Sequence, residues 1–431
     1  MRFDIFRRFA HDKSGNVAMI YGIAAIPLMF AVGMGVDYGN NARKWSQMNA
    51  AADAAALAAV TPTMMTQSDT AAKTAAQNMF NGQIANITNI ASYTLNVAVA
   101  DAGLGRTVTV SYTAQVNDVF GGLLHLAAMS VSGSSQASGS SPPNINFYML
   151  LDTSPSMAIA GTSAGISTMV SNTSSQGGCA FACHETNPSA DNLGNPHGED
   201  NYALARALGV ALRIDLLGQA MTSLVQYAQA TEAASTAKYG IAVNTFDVSF
   251  KTVAALTTNL TSLSSALSAS PSPIQLLQVY QNNWLTKTSN NSDADTNWDA
   301  AMTGVNGQMP SPGQGSNANG DSPMEVLFIV TDGVEDETVG GSRVQSLMGT
   351  SNCTTIKNRG IRIAILYTEY LPLPTNSWYN TYIAPFQPNI GSNLQSCASP
   401  GLYFEVTVDQ DITAAMEALF AQALATSHLT Q

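Results

Sequence analysis

The chain has 431 residues, room for two domains and an appendage with ample material for a core. It is 45% hydrophobic and only 11% charged, with a net charge of −12. No basic surface is therefore at hand to neutralise phosphates, which excludes nucleic-acid binding as a class. Low charge with many small polar residues is common among exported bacterial proteins. The first element is Val17 to Val36, free of charged residues and long enough for a hydrocarbon core of roughly 30 Å. Pro27 adds a kink that membrane helices tolerate. Arg2, Arg7, Arg8 and Lys13 precede the span, so the positive-inside rule keeps the N-terminus cytoplasmic and everything after Asp37 outside. Residues 1–40 thus read as a cytoplasmic tip and a transmembrane helix, single-pass, in a bacterial inner membrane. A cleaved signal peptide is the competing reading, but the apolar run is too long for its core region. A prepilin-type leader cut after Gly15 is another alternative; pilins usually carry a Glu five residues on, where this chain has Ile20.

Past the span, Asn40 to Val60 continues as a helix of good formers, Ala-rich and stopped near Pro62. The apolar helix, Val36-Asp37-Tyr38 at its end, and the run from Gln47 through Ala51, Asp53 and Leu57 to Ala58 resemble TadG/TadE-like proteins. These belong to the Flp (tight adherence) pilus assembly system, and the resemblance implies other pilus components as partners. The plain reading of the Ala-rich run is a helix with a small-residue packing face, and both readings hold together. Residues 68 to 82 predict a second helix. Tyr93 to Ala100 and Thr107 to Val116 alternate apolar and polar residues around Asp101-Ala-Gly-Leu-Gly105, the pattern of a β-hairpin. Leu123 to Ala128 reads as a short helix, with His125 packed in apolar company, and Met129 to Ala137 as a third strand. Residues 41–140 are therefore expected to form a helix plus a small sheet, pilin-like by analogy. The Ser- and Gly-rich stretch Ser132 to Ser141, followed by Pro142-Pro143, marks the boundary to a domain at 141–431.

Ile145 to Leu151 is almost wholly apolar, as a strand buried on both faces of a parallel sheet reads. Directly after it come Asp152, Ser154 and Ser156. Such loops at strand carboxyl ends are where open α/β sheets place ligands. Carboxylate and hydroxyl oxygens are also what a hard divalent cation prefers. Alone this D-x-S-x-S spacing is weak, since Asp and Ser are common turn formers. Two further stretches add to it. The apolar run from Glu325 ends in Thr331-Asp332-Gly333, and Asp293 to Met302 is a polar loop entering a helix with Thr296 at the junction. Thr296 suits an N-cap as well as a ligand. In this order the three stretches resemble the metal ion-dependent adhesion site of a von Willebrand factor A (vWA) domain. The resemblance implies a doubly wound, mainly parallel α/β sheet. It also implies one divalent ion, Mg²⁺ or else Mn²⁺ or Ca²⁺, held by Asp152, Ser154, Ser156, Thr296 and Asp332. Pro155 stands where the family usually has Gly, which stiffens the loop without removing a ligand.

Residues 158 to about 200 read as an insertion rich in Ser, Gly, Asn and Pro, containing Cys179, Cys183, His184 and His197. A haem attachment needs C-x-x-C-H, and here three residues separate the cysteines; a zinc site has the ligand types but irregular spacing. A disulfide in an oxidising compartment is the simplest account. Four cysteines allow three pairings, and the expected ones are Cys179–Cys183 and Cys353–Cys397. Tyr202 to Ala230 predicts one long helix, whose Arg213-Ile-Asp215 looks like the start of the first vWA core helix. Lys238 to Phe246 is the next strand, with Asp247 after it read as a solvated loop residue, as are Val334 to Glu337. Cys353 to Tyr367 reads as helix end, Gly360 stop and strand; Leu402 to Val408 and Asp411 to Thr426 follow as strand and amphipathic helix. No nucleophile–base pair stands out, so no enzymatic activity is expected. The expected function is a membrane-anchored, periplasmic adhesion or assembly protein that takes a partner's carboxylate on its metal. A vWA subunit serving an AAA-type ATPase is the alternative, disfavoured by topology.

Overall fold

The structure, a computed structural model, describes residues 15–121, 128–174, 178, 201–276, 296–317, 320–370, 372, 377–407 and 409–426. The chain divides into two compact units, Met1–Ser141 and Pro142–Gln431. In the first, helix α1 (Gly15–Ala58) runs unbroken through Pro27. It is long and apolar enough to cross a bilayer, and its first half leaves Ile20, Ile23 and Leu28 exposed. Its second half buries Met48, Ala51, Ala52, Ala55 and Ala56. These small side chains let α1 lie close against α2 (Asp69–Ile84), which contributes Ala72, Ala76 and Phe80 to the same core.

Three strands complete this unit: β1 (Ile90–Ala102), β2 (Gly105–Asn117) and β3 (Ala128–Ser140), antiparallel in that order. In β2 Val108, Val110, Tyr112, Ala114 and Val116 alternate inward, the period-2 pattern of a sheet with one covered face. At Gly133 a Cβ would fall 2.1 Å from Asn49 Oδ1, so β3 lies close against the Asn49 side chain of α1 there. The loop after β2 is held by Asp37 of α1, whose carboxylate accepts from the amides of Val119, Phe120 and Gly121 at 2.9, 2.8 and 2.7 Å. The predicted helix at Leu123–Ala128 falls almost wholly outside the described residues, as does His125.

The second unit is built on six strands: β4 (Ile145–Asp152), β5 (Tyr239–Phe246), β6 (Phe250–Thr257), β7 (Met324–Thr331), β10 (Arg362–Thr368) and β11 (Tyr403–Val406). Between β7 and β10 lies a separate hairpin, β8 (Val334–Val339) and β9 (Ser342–Leu347). The sheet order is β6-β5-β4-β7-β10-β11, with every pairing parallel except β5–β6. Numbered along the chain within the sheet, this is the 3-2-1-4-5-6 order of a doubly wound fold. It is the fold class that the vWA resemblance implies. Helices cover both faces, as parallel strands require. On one face α3 (Arg213–Ala233), α4 (Leu260–Leu267) and α8 (Ile412–Thr426) pack on Phe147, Met149 and Leu151. On the other, α5 (Trp298–Gln308), α6 (Ser351–Asn358) and α7 (Ile390–Cys397) pack on Tyr148 and Leu150.

The predicted helix from Tyr202 to Ala230 is broken. A short helix, Asn201–Ala207, ends before Gly209, whose φ of +67° suits glycine, and α3 begins afresh at Arg213. Asp215 secures that new start by accepting from the Leu212 amide at 2.9 Å. The acidic stretch after Gly333 also differs from its reading as solvated loop. It forms β8, in which Glu335 and Asp336 are buried and Asp336 is ion-paired to Arg343.

Candidate metal centre

Strand order reverses between β4 and β7, and at such a switch point the two following loops diverge and leave a crevice. Leu151 pairs with Val330, so the next residues, Asp152 and Thr331, emerge side by side. Thr331 Oγ1 donates to Asp152 Oδ2 at 2.6 Å. Asp152 Oδ1 accepts from the Ser154 amide at 2.9 Å, which turns the loop back over the strand end. The Ser154 and Ser156 hydroxyls then stand 3.0 Å apart. The Ser156 hydroxyl also favours the charged form of the Asp332 carboxyl. The sequence pattern thus brings Asp152, Ser154, Ser156 and Asp332 together around one point.

Both carboxylates are fully buried. Burial first, and the Asp332 charge second, push Asp152 up to about 7 against the lowering hydrogen bonds from Ser154 and Thr331. Asp332 is raised by its own burial, opposed by Ser156 and by the positive charge of Arg213. Two buried carboxyl groups in one another's field resist ionising together unless a cation is supplied. Asp332 Oδ1 accepts weakly from the Val334 amide at 3.4 Å, while Oδ2 is buried with no hydrogen-bond partner. An orphaned carboxylate oxygen beside two hydroxyls and a second carboxylate is a donor set that fits a hard divalent ion. Among the described residues no group of three His, Cys, Asp or Glu converges as a metal site, and this centre has two carboxylates with hydroxyls in place of a third.

Thr296 is placed differently from the other four. Asn297, not Thr296, caps α5, its Oδ1 accepting from the Ala300 amide at 2.9 Å. Thr296 is buried and bridged to Asp336 of β8 by two backbone bonds of 2.9 and 3.0 Å. Among the described residues it shares no hydrogen bond with the other four. Asp247, read from sequence as solvated, is fully buried, paired to Lys251 and accepting from the Ser249 amide at 3.1 Å. Thr331 and Arg213 were not read as site residues. A threonine closing an apolar run, or an arginine opening a helix, carries no signal by itself.

The far wall is stapled. Cys353 of α6 and Cys397 of α7 form a disulfide with Cα atoms 5.3 Å apart, the pairing expected from the sequence. Helix α7 in turn backs the Asp332 loop. Gly333 has φ +81°, and a Cβ there would lie 2.3 Å from Ile390 Cγ2. Cys179, Cys183, His184 and His197 lie outside the described residues.

Residues 15–78 match the family model Tad, Flp pilus-assembly TadE/G-like. The N-terminal segment is thus similar to TadE/G-like proteins. This TadE/G-like segment takes in α1 and most of α2. No curated protein matches the chain. Among solved structures, BatB from Bacteroides thetaiotaomicron is 12% identical, covers 66% of this chain and 100% of its own, and gives a TM-score of 0.33. The pilus adhesin SpaC from Lactobacillus rhamnosus GG is 11% identical over 79% of this chain and 35% of its own, with a TM-score of 0.35. An aerotolerance-related membrane protein from Bacteroides fragilis is 14% identical over 65% of this chain and 98% of its own, with a TM-score of 0.33. Superposition at this level says nothing about what the chain binds.

Proposed function

We propose that the chain is a single-pass membrane protein of the Tad/Flp pilus system, acting in pilus assembly or surface adhesion. In this reading the N-terminus is cytoplasmic, α1 crosses the bacterial inner membrane, and both units lie on the periplasmic side. The TadE/G-like segment supports the pilus setting, and the Cys353–Cys397 disulfide supports an oxidising compartment. The second unit binds its protein partner through one divalent ion, Mg²⁺ by preference, and has no catalytic role. The observation that carries the reading is the buried, unpartnered Asp332 Oδ2 at the switch point, beside Asp152 and two serine hydroxyls.

Asp152 and Asp332 would supply charge, and Ser154 and Ser156 neutral oxygens; Thr296 would join them through water. When bound, the ion supplies a Lewis-acidic position open to a carboxylate oxygen of the partner. Thr331 holds Asp152 in place through its 2.6 Å bond, and Gly333 lets the chain turn under Ile390 so that Asp332 faces the serines. Two carboxylates balance the charge of a dication but, with the hydroxyls, fill only part of its oxygen shell, which leaves a position for a partner's carboxylate oxygen. The test is calorimetric titration of the detergent-solubilised chain with Mg²⁺, Mn²⁺ and Ca²⁺, beside a surface-adhesion assay with and without EDTA. Saturable binding and EDTA-sensitive adhesion, both lost in Asp152→Ala, are expected. Adhesion retained by Asp152→Ala would discard the mechanism.

A further inference from the structure

We propose that the second unit carries an anion site, in which Arg213 and Thr368 hold a small monovalent anion such as chloride. The site is a cavity of about 30 Å³ between the start of α3 and the end of β10, lined also by Gly161, Thr407 and Gln410. Arg213 is 6% exposed, and its Nη2 donates to the Glu369 carbonyl, but its Nη1 is buried without a hydrogen-bond partner. Thr368, 5% exposed, closes β10, and its Oγ1 is likewise buried and unpartnered. Two residues, each with one orphaned polar group, thus border one small space.

The chemistry of that lining selects an anion. No carboxylate borders the cavity. The side-chain groups available are a guanidinium, a hydroxyl and the Gln410 amide, whose oxygen already accepts from the Thr407 amide at 2.8 Å. Among the described residues Arg213 forms no ion pair, and the Asp332 and Glu369 carboxylates act on it only through their fields. A buried guanidinium with one carbonyl bond and no ion pair is under-compensated even in the fields of Asp332 and Glu369, because removing a charge from water is costly unless a paired charge or a full set of hydrogen bonds replaces it. A water molecule fits the volume, but it would bring no charge. An anion meets the hydrogen-bonding groups and balances the guanidinium as well.

The experiment uses the full chain in detergent with EDTA, so that the divalent centre plays no part. Chloride replaces gluconate stepwise at constant ionic strength while thermal unfolding is followed. A saturable rise in Tm of roughly 2–6 °C is expected for the natural chain. Thr368→Val, which keeps the shape and removes the hydroxyl, should need at least about tenfold more chloride for the same rise. Arg213→Gln should abolish it, but that change also removes the bond to the Glu369 carbonyl, so Thr368→Val is the deciding variant. A Tm indifferent to chloride would mean that the cavity holds water, and an equal rise in Thr368→Val would place chloride elsewhere. Either result overturns the proposal.

Discussion

Glu325, at the amino end of β7, is only 1% exposed. Asn146 donates to its Oε1 at 3.0 Å, its Oε2 has no partner, and burial pushes its pKa up to about 7. Between its ordinary value and about 7 the folded chain keeps a proton that the unfolded chain releases, so stability falls as pH rises through that window and levels off above it. Glu325→Gln should therefore be more stable than the natural chain by roughly 1–3 kcal/mol at pH 8 and nearly equal to it at pH 4. Urea unfolding at the two pH values checks this. The same reasoning applies at the candidate centre, where without a cation the buried carboxyl of Asp332 works against folding. Asp332→Asn should unfold at higher temperature than the natural chain in EDTA at pH 8, yet gain nothing from Mg²⁺. At this scale Asp152, Ser154, Ser156 and Asp332 were legible because each follows an apolar run that fixes it at a strand end. Asp247 was not. An acid after a strand looks solvated, and only the fold shows Lys251 beside it.

Among the elements, α7 has a double part: it is bridged to α6 by the disulfide and lies under Gly333. Replacing Cys353 and Cys397 by serine should cost about 2–4 kcal/mol of stability. It should also weaken divalent-ion binding, since α7 is then freer to shift behind the Asp332 loop. Denaturant unfolding and calorimetry read the two effects separately. Strands β4, β5, β7 and β10 were legible as apolar runs, since burial on both faces leaves no alternation to interpret. Edge strand β6 was missed because its partly exposed residues form no such run. Hairpin β8–β9 was missed because Glu335 and Asp336 look like loop residues until Arg343 is seen to pair with the latter. The break at Gly209 is not legible in the sequence because the apolar spacing on either side of it stays in phase.

For the whole molecule, the proposed orientation predicts that a periplasm-active reporter joined after Gln431 is functional. A cytoplasmic C-terminus would remove the pilus and adhesion reading together. Thermal unfolding of the full chain should show Mg²⁺ raising the transition that reports the second unit and leaving that of the first unit in place. The long first helix has a consequence of its own. It spans 44 residues, roughly 66 Å at 1.5 Å per residue. Its apolar half continues without a joint into the half that forms the core of the first unit, and Asp37 fastens the Val119–Gly121 backbone where the two halves meet. With the apolar half in a bilayer, any tilt or rotation of the span is also a tilt or rotation of the folded body. A load borne by that body passes straight into the lipid-embedded shaft with no slack to take up. So anchored, the first unit would stand as on a mast, not at the end of a rope.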